Sequence, residues 1–97
     1  MYHSKFENEA IGKLFAGILE LESEEDCYRF FEDLCTVNEL QSLAQRFEVA
    51  LLLDEGRTYH EIAEKTGAST ATISRINRCL VYGSEGYKTV IKRLKRQ

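Results

Sequence analysis

Apolar residues recur along this chain at spacings of three and four, the period of one face of an α-helix, and short polar or glycine-containing stretches interrupt them. The pattern predicts about six helices and no strand. The first runs from about Glu9 to Glu22, with Ile11, Leu14, Phe15, Ile18, Leu19 and Leu21 apolar. Ser4-Lys5-Phe6-Glu7 ahead of it has capping-box form at the head of a polar segment. Gly12 and Gly17 each weaken the helix by roughly 1 kcal/mol against alanine, and are candidates for the close approach of another helix. Ser23 is placed to cap a second helix, with Glu24, Glu25 and Asp26 in its first turn favoured by the helix dipole. Tyr28, Phe30, Phe31, Leu34 and Cys35 form its apolar side.

Thr36-Val37-Asn38-Glu39 reads as a capping box opening a third helix that reaches about Glu55. Val37, Leu40, Leu43, Ala44, Phe47, Ala50 and Leu51 make a broad stripe on it. Val49, Leu52 and Leu53 carry that stripe nearly all round at the carboxyl end, and a helix apolar on every side is buried on every side. In so short a chain this points to burial by a second subunit. Gly56 stands where a C-cap glycine belongs. Thr58-Tyr59-His60-Glu61 is a further capping box, opening a short helix to about Thr66. Gly67 stops that helix, and Ser69 caps the next, which ends near Tyr82. The last helix, from Glu85 to about Arg96, carries Tyr87, Val90, Ile91 and Leu94 inward.

Composition sharpens this picture. The chain has 97 residues, 30% of them charged, and no proline, as suits a single small all-α domain. Its parts are read as dimerisation helices over 9–55, a helix-turn-helix over 58–82 and a C-terminal helix over 84–96. No apolar run is long enough to span a membrane, and MYHSKFENEA lacks the apolar core of a signal peptide. A cytoplasmic, nucleoid-associated protein is expected. Cys27, Cys35 and Cys79 show no CxxC spacing and read as small buried residues in a reducing compartment, with neither a disulfide frame nor a zinc site.

The net charge of −3 conceals an asymmetry. Residues 1–56 hold 4 Lys/Arg against 13 Asp/Glu, a balance of −9, whereas residues 57–97 hold 9 against 3, a balance of +6. A basic C-terminal part takes a polyanion as its natural ligand, or else pairs with the acidic half of a neighbour.

The run GASTATISRINR gives that charge a shape. A helix-turn-helix needs a small residue where its helices cross, a left-handed residue in its turn and an inward stripe on its second helix. Ala63, Gly67, and Ile73, Ile76 and Leu80 meet these needs. Only Thr66 stands where an apolar residue is usual. At about 100° per residue, Ala71, Ser74, Arg75 and Arg78 lie opposite the isoleucines, with Ser69 and Thr70 at the tip. Small side chains allow close approach to base edges, hydroxyls meet bases or phosphates, and arginine reaches guanine or phosphate. The expected DNA-binding residues are therefore Ser69, Thr70, Ala71, Ser74, Arg75 and Arg78. Arg57, Tyr59, His60, Lys65 and the basic cluster from Lys88 to Arg96 are expected on the phosphate backbone. A helical module that docks on another protein without reading DNA is the alternative. An enzyme is not expected: no metal-ligand cluster, phosphate-cradling glycine loop or nucleophile elbow is present, and no cofactor is implied.

The stretch CTVNELQSLAQRFEVALLLDEGRTYHEIAEKTGASTATISRINRCL resembles the core of the Trp repressor family, in its YerC/YecD-type bacterial branch, over residues 35 to about 94. The resemblance implies a six-helix subunit and an intertwined homodimer that presents two helix-turn-helix units to successive major grooves, about 34 Å apart. Leu14, Ile18, Phe30, Phe31, Leu40, Phe47 and Leu51 are the expected dimer contacts. Two arginines hold the tryptophan corepressor in the Trp repressor, and they correspond to Arg46 in LAQRF and Arg75 in TISR. The residue after the second arginine is glycine there and Ile76 here, a volume that a packed pocket does not absorb without strain. Tryptophan is therefore not expected to bind.

Overall fold

Six α-helices follow one another: α1 (Glu9–Ile18), α2 (Glu24–Leu34), α3 (Val37–Asp54), α4 (Tyr59–Thr66), α5 (Thr70–Tyr82) and α6 (Gly86–Lys95). The computed structural model describes residues 2–96, and among these no strand occurs. The all-α expectation is met. The chain divides between Thr36 and Val37 into two compact units, the first holding α1 and α2 and the second α3 to α6. The third helix, grouped in sequence with the dimerisation helices, thus belongs to the unit that carries the helix-turn-helix.

In the first unit, the cap of α1 is Asn8, whose side-chain oxygen accepts from the Ile11 N–H at 2.8 Å. Ser4 caps no helix. Its hydroxyl oxygen accepts from the Phe6 N–H at 3.0 Å, closing a local turn. The first helix also ends at Ile18, four residues before the expected Glu22. The Glu20 and Leu21 N–H groups reach back only three residues, to Gly17 and Ile18, tightening the last turn. The Glu22 N–H goes instead to the Asp26 carboxylate at 3.0 Å, and so joins the start of α2. Ser23 caps α2 as expected, accepting from Asp26. The glycines of α1 meet no close neighbour: a Cβ at Gly12 or Gly17 has nothing within 4 Å.

Nothing on α1 or α2 is fully buried. The two helices make no packing contact with each other. Phe30 and Phe31 meet edge to face at 5.4 Å, yet both rings stay partly exposed.

The second unit has a true core. Val49, Ala50, Leu52, Ile62, Ala68, Ile73, Ile76 and Ile91 are buried, and Phe47, Leu51, Leu53, Ala63, Leu80 and Tyr87 pack around them. Here α3 packs on α4 and α5, α4 packs on α5, and α6 packs on both α3 and α5. The all-round apolarity of α3 resolves into two faces. Val49, Leu52 and Leu53 lie on one side, against the helix-turn-helix core. Leu40 and Ala44 lie roughly opposite at about 100° per residue and are not fully covered, while Phe47 and Leu51, on that same side, are partly buried against the core. All seven expected dimer contacts are half-buried in the single chain.

Gly56 closes α3 with φ 85°. The Arg57 N–H bonds the Leu52 carbonyl and the Gly56 N–H bonds the Leu53 carbonyl, the paired pattern of a left-handed C-cap. On α6, Ile91 is buried and Tyr87 half-buried, but Val90 and Leu94 are exposed rather than inward. The C-terminal end of α6 is tied to that of α3 by Lys95, whose ammonium meets the Asp54 carboxylate at 2.6 Å. The cysteines also depart from expectation: Cys27 and Cys79 are exposed and Cys35 is half-buried, because the first two lie on outward sides of α2 and α5.

Candidate nucleic-acid interface

The candidate interface comprises α4, the turn after it, and α5. Thr58 and Glu61 form the predicted capping box, with both reciprocal hydrogen bonds present. These bonds from Thr58, aided by the nearby positive Arg57 and His60, hold the Glu61 carboxyl below its ordinary pKa. Gly67 ends α4 in the left-handed conformation, φ 75°, and its N–H returns to the Ala63 carbonyl at 2.9 Å. That is the sharp reversal a helix-turn-helix requires.

Thr66, the residue that broke the expected apolar pattern, has a structural task. Its hydroxyl donates to the Ile62 carbonyl at 2.8 Å and accepts from the Ala68 N–H at 3.1 Å. Its own carbonyl accepts from the Gln45 side chain on α3 at 3.0 Å. A threonine here satisfies backbone groups in the turn, which an apolar residue does not do. Ala68, next in the turn, is buried and too small to push the helices apart.

Ser69 then caps α5, accepting from the Thr72 N–H at 3.1 Å while its hydroxyl donates to that of Thr72 at 3.1 Å. The Ser69 hydroxyl is therefore engaged in the cap as well as standing at the exposed tip. Along α5, Ile73 and Ile76 are buried and Leu80 half-buried. Thr70, Ala71, Ser74, Arg75 and Arg78 are exposed on the other side. Tyr82, absent from the sequence-based set, extends this row: it follows Arg78 by four residues and Arg75 by seven, and is 84% exposed. The i+4 and i+7 spacings carry this signal in the sequence, although Tyr82 also marks the end of the helix. Gly83 turns the chain out of α5 at a point where a Cβ would collide with the Cys79 carbonyl.

The residues expected on the phosphate backbone differ in their surroundings. Tyr59 and Lys65 lie exposed on α4. Arg57 faces Glu55 at 3.5 Å, and His60 meets Glu64 at 2.8 Å. Both are exposed yet already neighboured by carboxylates. Burial, and after it Cys79, raises the pKa of Tyr87 on α6, with Arg46 on α3 and Arg75 on α5 acting to a lesser degree the other way. Among the described residues no cluster of three or more His, Cys, Asp or Glu forms a candidate metal site, and no helix is long and apolar enough to cross a membrane.

The sequence profile described as Trp repressor protein matches residues 9–95 of this chain. The chain belongs to the Trp repressor family. It is 56% identical over 95 residues to the uncharacterized protein YerC of Bacillus subtilis, covering 98% of this chain and 91% of YerC. A crystal structure of a TrpR-like protein from Eubacterium eligens superposes with TM-score 0.89 at 58% identity, covering 94% of each chain. That of a candidate Trp repressor from Staphylococcus aureus gives TM-score 0.89 at 48% identity, covering 96% of this chain and 93% of the other. The six-helix Trp-repressor-like fold inferred from the ATISR-containing stretch is therefore the fold of this chain. Within that fold, Ile76 is only 3% exposed and packs into the core directly after Arg75.

Proposed function

We propose that this Trp repressor family member is a homodimeric, sequence-specific DNA-binding transcriptional regulator, acting as a repressor without tryptophan as corepressor. The observation that carries the reading is the division of α5 into two sides. Ile73 and Ile76 anchor the helix, while Thr70, Ala71, Ser74, Arg75 and Arg78 stand free beyond a capped N-terminus. Small side chains and two arginines suit a major groove, and the N-terminal N–H groups favour phosphate. Ser69 joins them at the tip. Tyr59, Lys65, Arg57 and His60 flank this helix as contacts to the DNA backbone, the last two on exchanging their glutamate partners for phosphate.

The dimer completes the fold. The first unit buries no side chain of α1 or α2, and an apolar groove of about 420 Å³ there is lined by Phe6, Ile11, Leu14 and Phe15. In the second unit, Leu40, Phe47 and Leu51 of α3 stay only half-buried, so each unit by itself leaves apolar surface in a monomer. A second copy of the chain covers it, and the whole chain then acts as one DNA-binding domain in the cytoplasm. Arg46 and Arg75 hold no tryptophan in this reading, because the branched Ile76 follows Arg75 where the Trp repressor has glycine.

Fluorescence anisotropy with labelled random duplex DNA at rising salt tests the proposal. Binding that weakens steeply with salt supports it. Association with helical protein partners, indifferent to salt and to competing DNA, overturns it in favour of a docking module.

A further inference from the structure

The inward side of α3 continues past the end of the apolar core. Leu52 and Val49 are buried against the helix-turn-helix, and Gln45 stands one turn before Val49 on the same side of the helix. Here a half-buried amide takes the place of an apolar side chain, and its Nε2 donates to the Thr66 carbonyl at 3.0 Å. Thr66 is the last residue of α4, and a helix leaves its last four carbonyls without a partner in its own ladder. The Ala63 carbonyl is met from inside the turn, by the Gly67 N–H at 2.9 Å. That of Thr66 is met from α3. The Thr66 hydroxyl meanwhile bonds the Ile62 carbonyl and the Ala68 N–H, so Gln45 holds the residue that braces the turn. Ser69, the cap of α5, follows three residues later.

We propose that Gln45 is a positioning residue for sequence reading: by holding the Thr66 carbonyl it fixes the turn of the helix-turn-helix against α3, and so sets where the N-terminal tip of α5 points. This deepens the DNA-binding reading above and rests on it. The physical ground is directional. Apolar packing of Val49, Leu52, Ile62 and Ile73 holds the helices together, but hydrophobic burial does not fix an orientation. A hydrogen bond from an amide to a carbonyl does, since it weakens steeply with angle. The tip at Ser69, Thr70 and Ala71 begins three residues past this bond. Contacts to base edges depend on where that tip lies, whereas attraction to the phosphates depends mainly on charge. Loss of the bond therefore weakens recognition of a sequence more than it weakens attachment to DNA.

The test compares wild type with Gln45→Met, which keeps the length of the side chain, removes the donor and changes no charge. Two probes are used at one salt concentration: a duplex enriched by the wild-type protein from random DNA, and a random-sequence duplex pool of equal length. The expected result is a loss of affinity of about three- to tenfold for the enriched duplex, the worth of one hydrogen bond, with the affinity for the random pool unchanged. An equal loss on both probes, as general destabilisation gives, or a loss on neither, overturns the proposal. A second arm needs no DNA: amide hydrogen exchange of the free proteins. Exchange at Gly67 and Ala68 is expected to quicken several-fold in Gln45→Met, while that of the Ile73 N–H, bonded to the Ser69 carbonyl, stays as in wild type. Unchanged exchange in the turn sinks the tether. If the wild-type protein enriches no duplex, the DNA-binding reading has failed and takes the positioning role with it. Quickened exchange in the turn then still shows that Gln45 braces it, which separates the two failures.

Discussion

Thr58 and Glu61 cap each other: the Glu61 N–H donates to the Thr58 hydroxyl oxygen at 3.1 Å, and the Thr58 N–H donates to a Glu61 carboxylate oxygen at 2.9 Å. This pair fixes where α4 begins and so how the helix-turn-helix enters its turn. Because these bonds favour the charged carboxylate, the folded protein holds Glu61 below its ordinary pKa. The stabilisation is complete above the unfolded value, near 4.5, and is lost as pH falls through the lower folded value. Chemical denaturation from pH 7 down to pH 3 is expected to show a stability loss that Glu61→Gln reduces. An identical pH profile in the variant contradicts this.

Replacing Thr58 by alanine removes the other half of the box. The expected cost is about 1 kcal/mol, read as a lower midpoint in urea with unchanged slope.

Gly67→Ala tests the turn. At φ 75° a Cβ is strained whatever space surrounds it, and nothing lies within 4 Å to clash. A loss of about 1 kcal/mol is expected from backbone conformation alone, and thermal melting by circular dichroism measures it.

The row on α5 makes a prediction that separates folding from binding. Arg75→Ala, Arg78→Ala and Tyr82→Ala all change exposed side chains, so their melting temperatures are expected to stay near wild type. Each is expected to weaken DNA binding, the arginines by about tenfold or more. Tyr82 stands eleven residues beyond Ala71, about 16 Å along the helix, and its phenol is expected to meet a phosphate rather than a base edge. Its removal is expected to cost affinity without changing base preference. A mobility-shift series on one duplex and its single-base variants distinguishes these outcomes.

Tryptophan is expected to leave the protein unmoved. A ligand that binds the folded state raises the melting temperature with concentration. With Ile76 buried directly after Arg75, no such rise is expected up to millimolar tryptophan. A concentration-dependent increase contradicts the reading of Ile76.

The helix-turn-helix was legible in the chain because each of its needs is local. A capping box lies within four residues, Gly67 answers one backbone angle, and Ile73 and Ile76 answer one helical period. The readings that failed depended on neighbours. Nothing in the periodicity of Leu19 and Leu21 shows that the Glu22 N–H is drawn to Asp26, which ends α1 early. Ser4 and Glu7 have capping-box spacing, yet the cap of α1 is Asn8, which stands directly before the first helical residue. Val90 and Leu94 match the apolar pattern of α6 but are exposed, since the pattern alone does not say how much of the helix its neighbours cover. Cys79 looked like a core residue by type, and its place on α5 turns it outward. Thr66 shows the opposite case: a departure from pattern that the turn's backbone groups explain.

Selection of bound sequences from random DNA by the purified chain tests the central claim most directly. The account predicts a palindromic consensus whose half-sites are centred about one helical turn apart, as a symmetric pair of α5 helices dictates. Recovery of no enriched sequence, or of a lone half-site without symmetry, contradicts it.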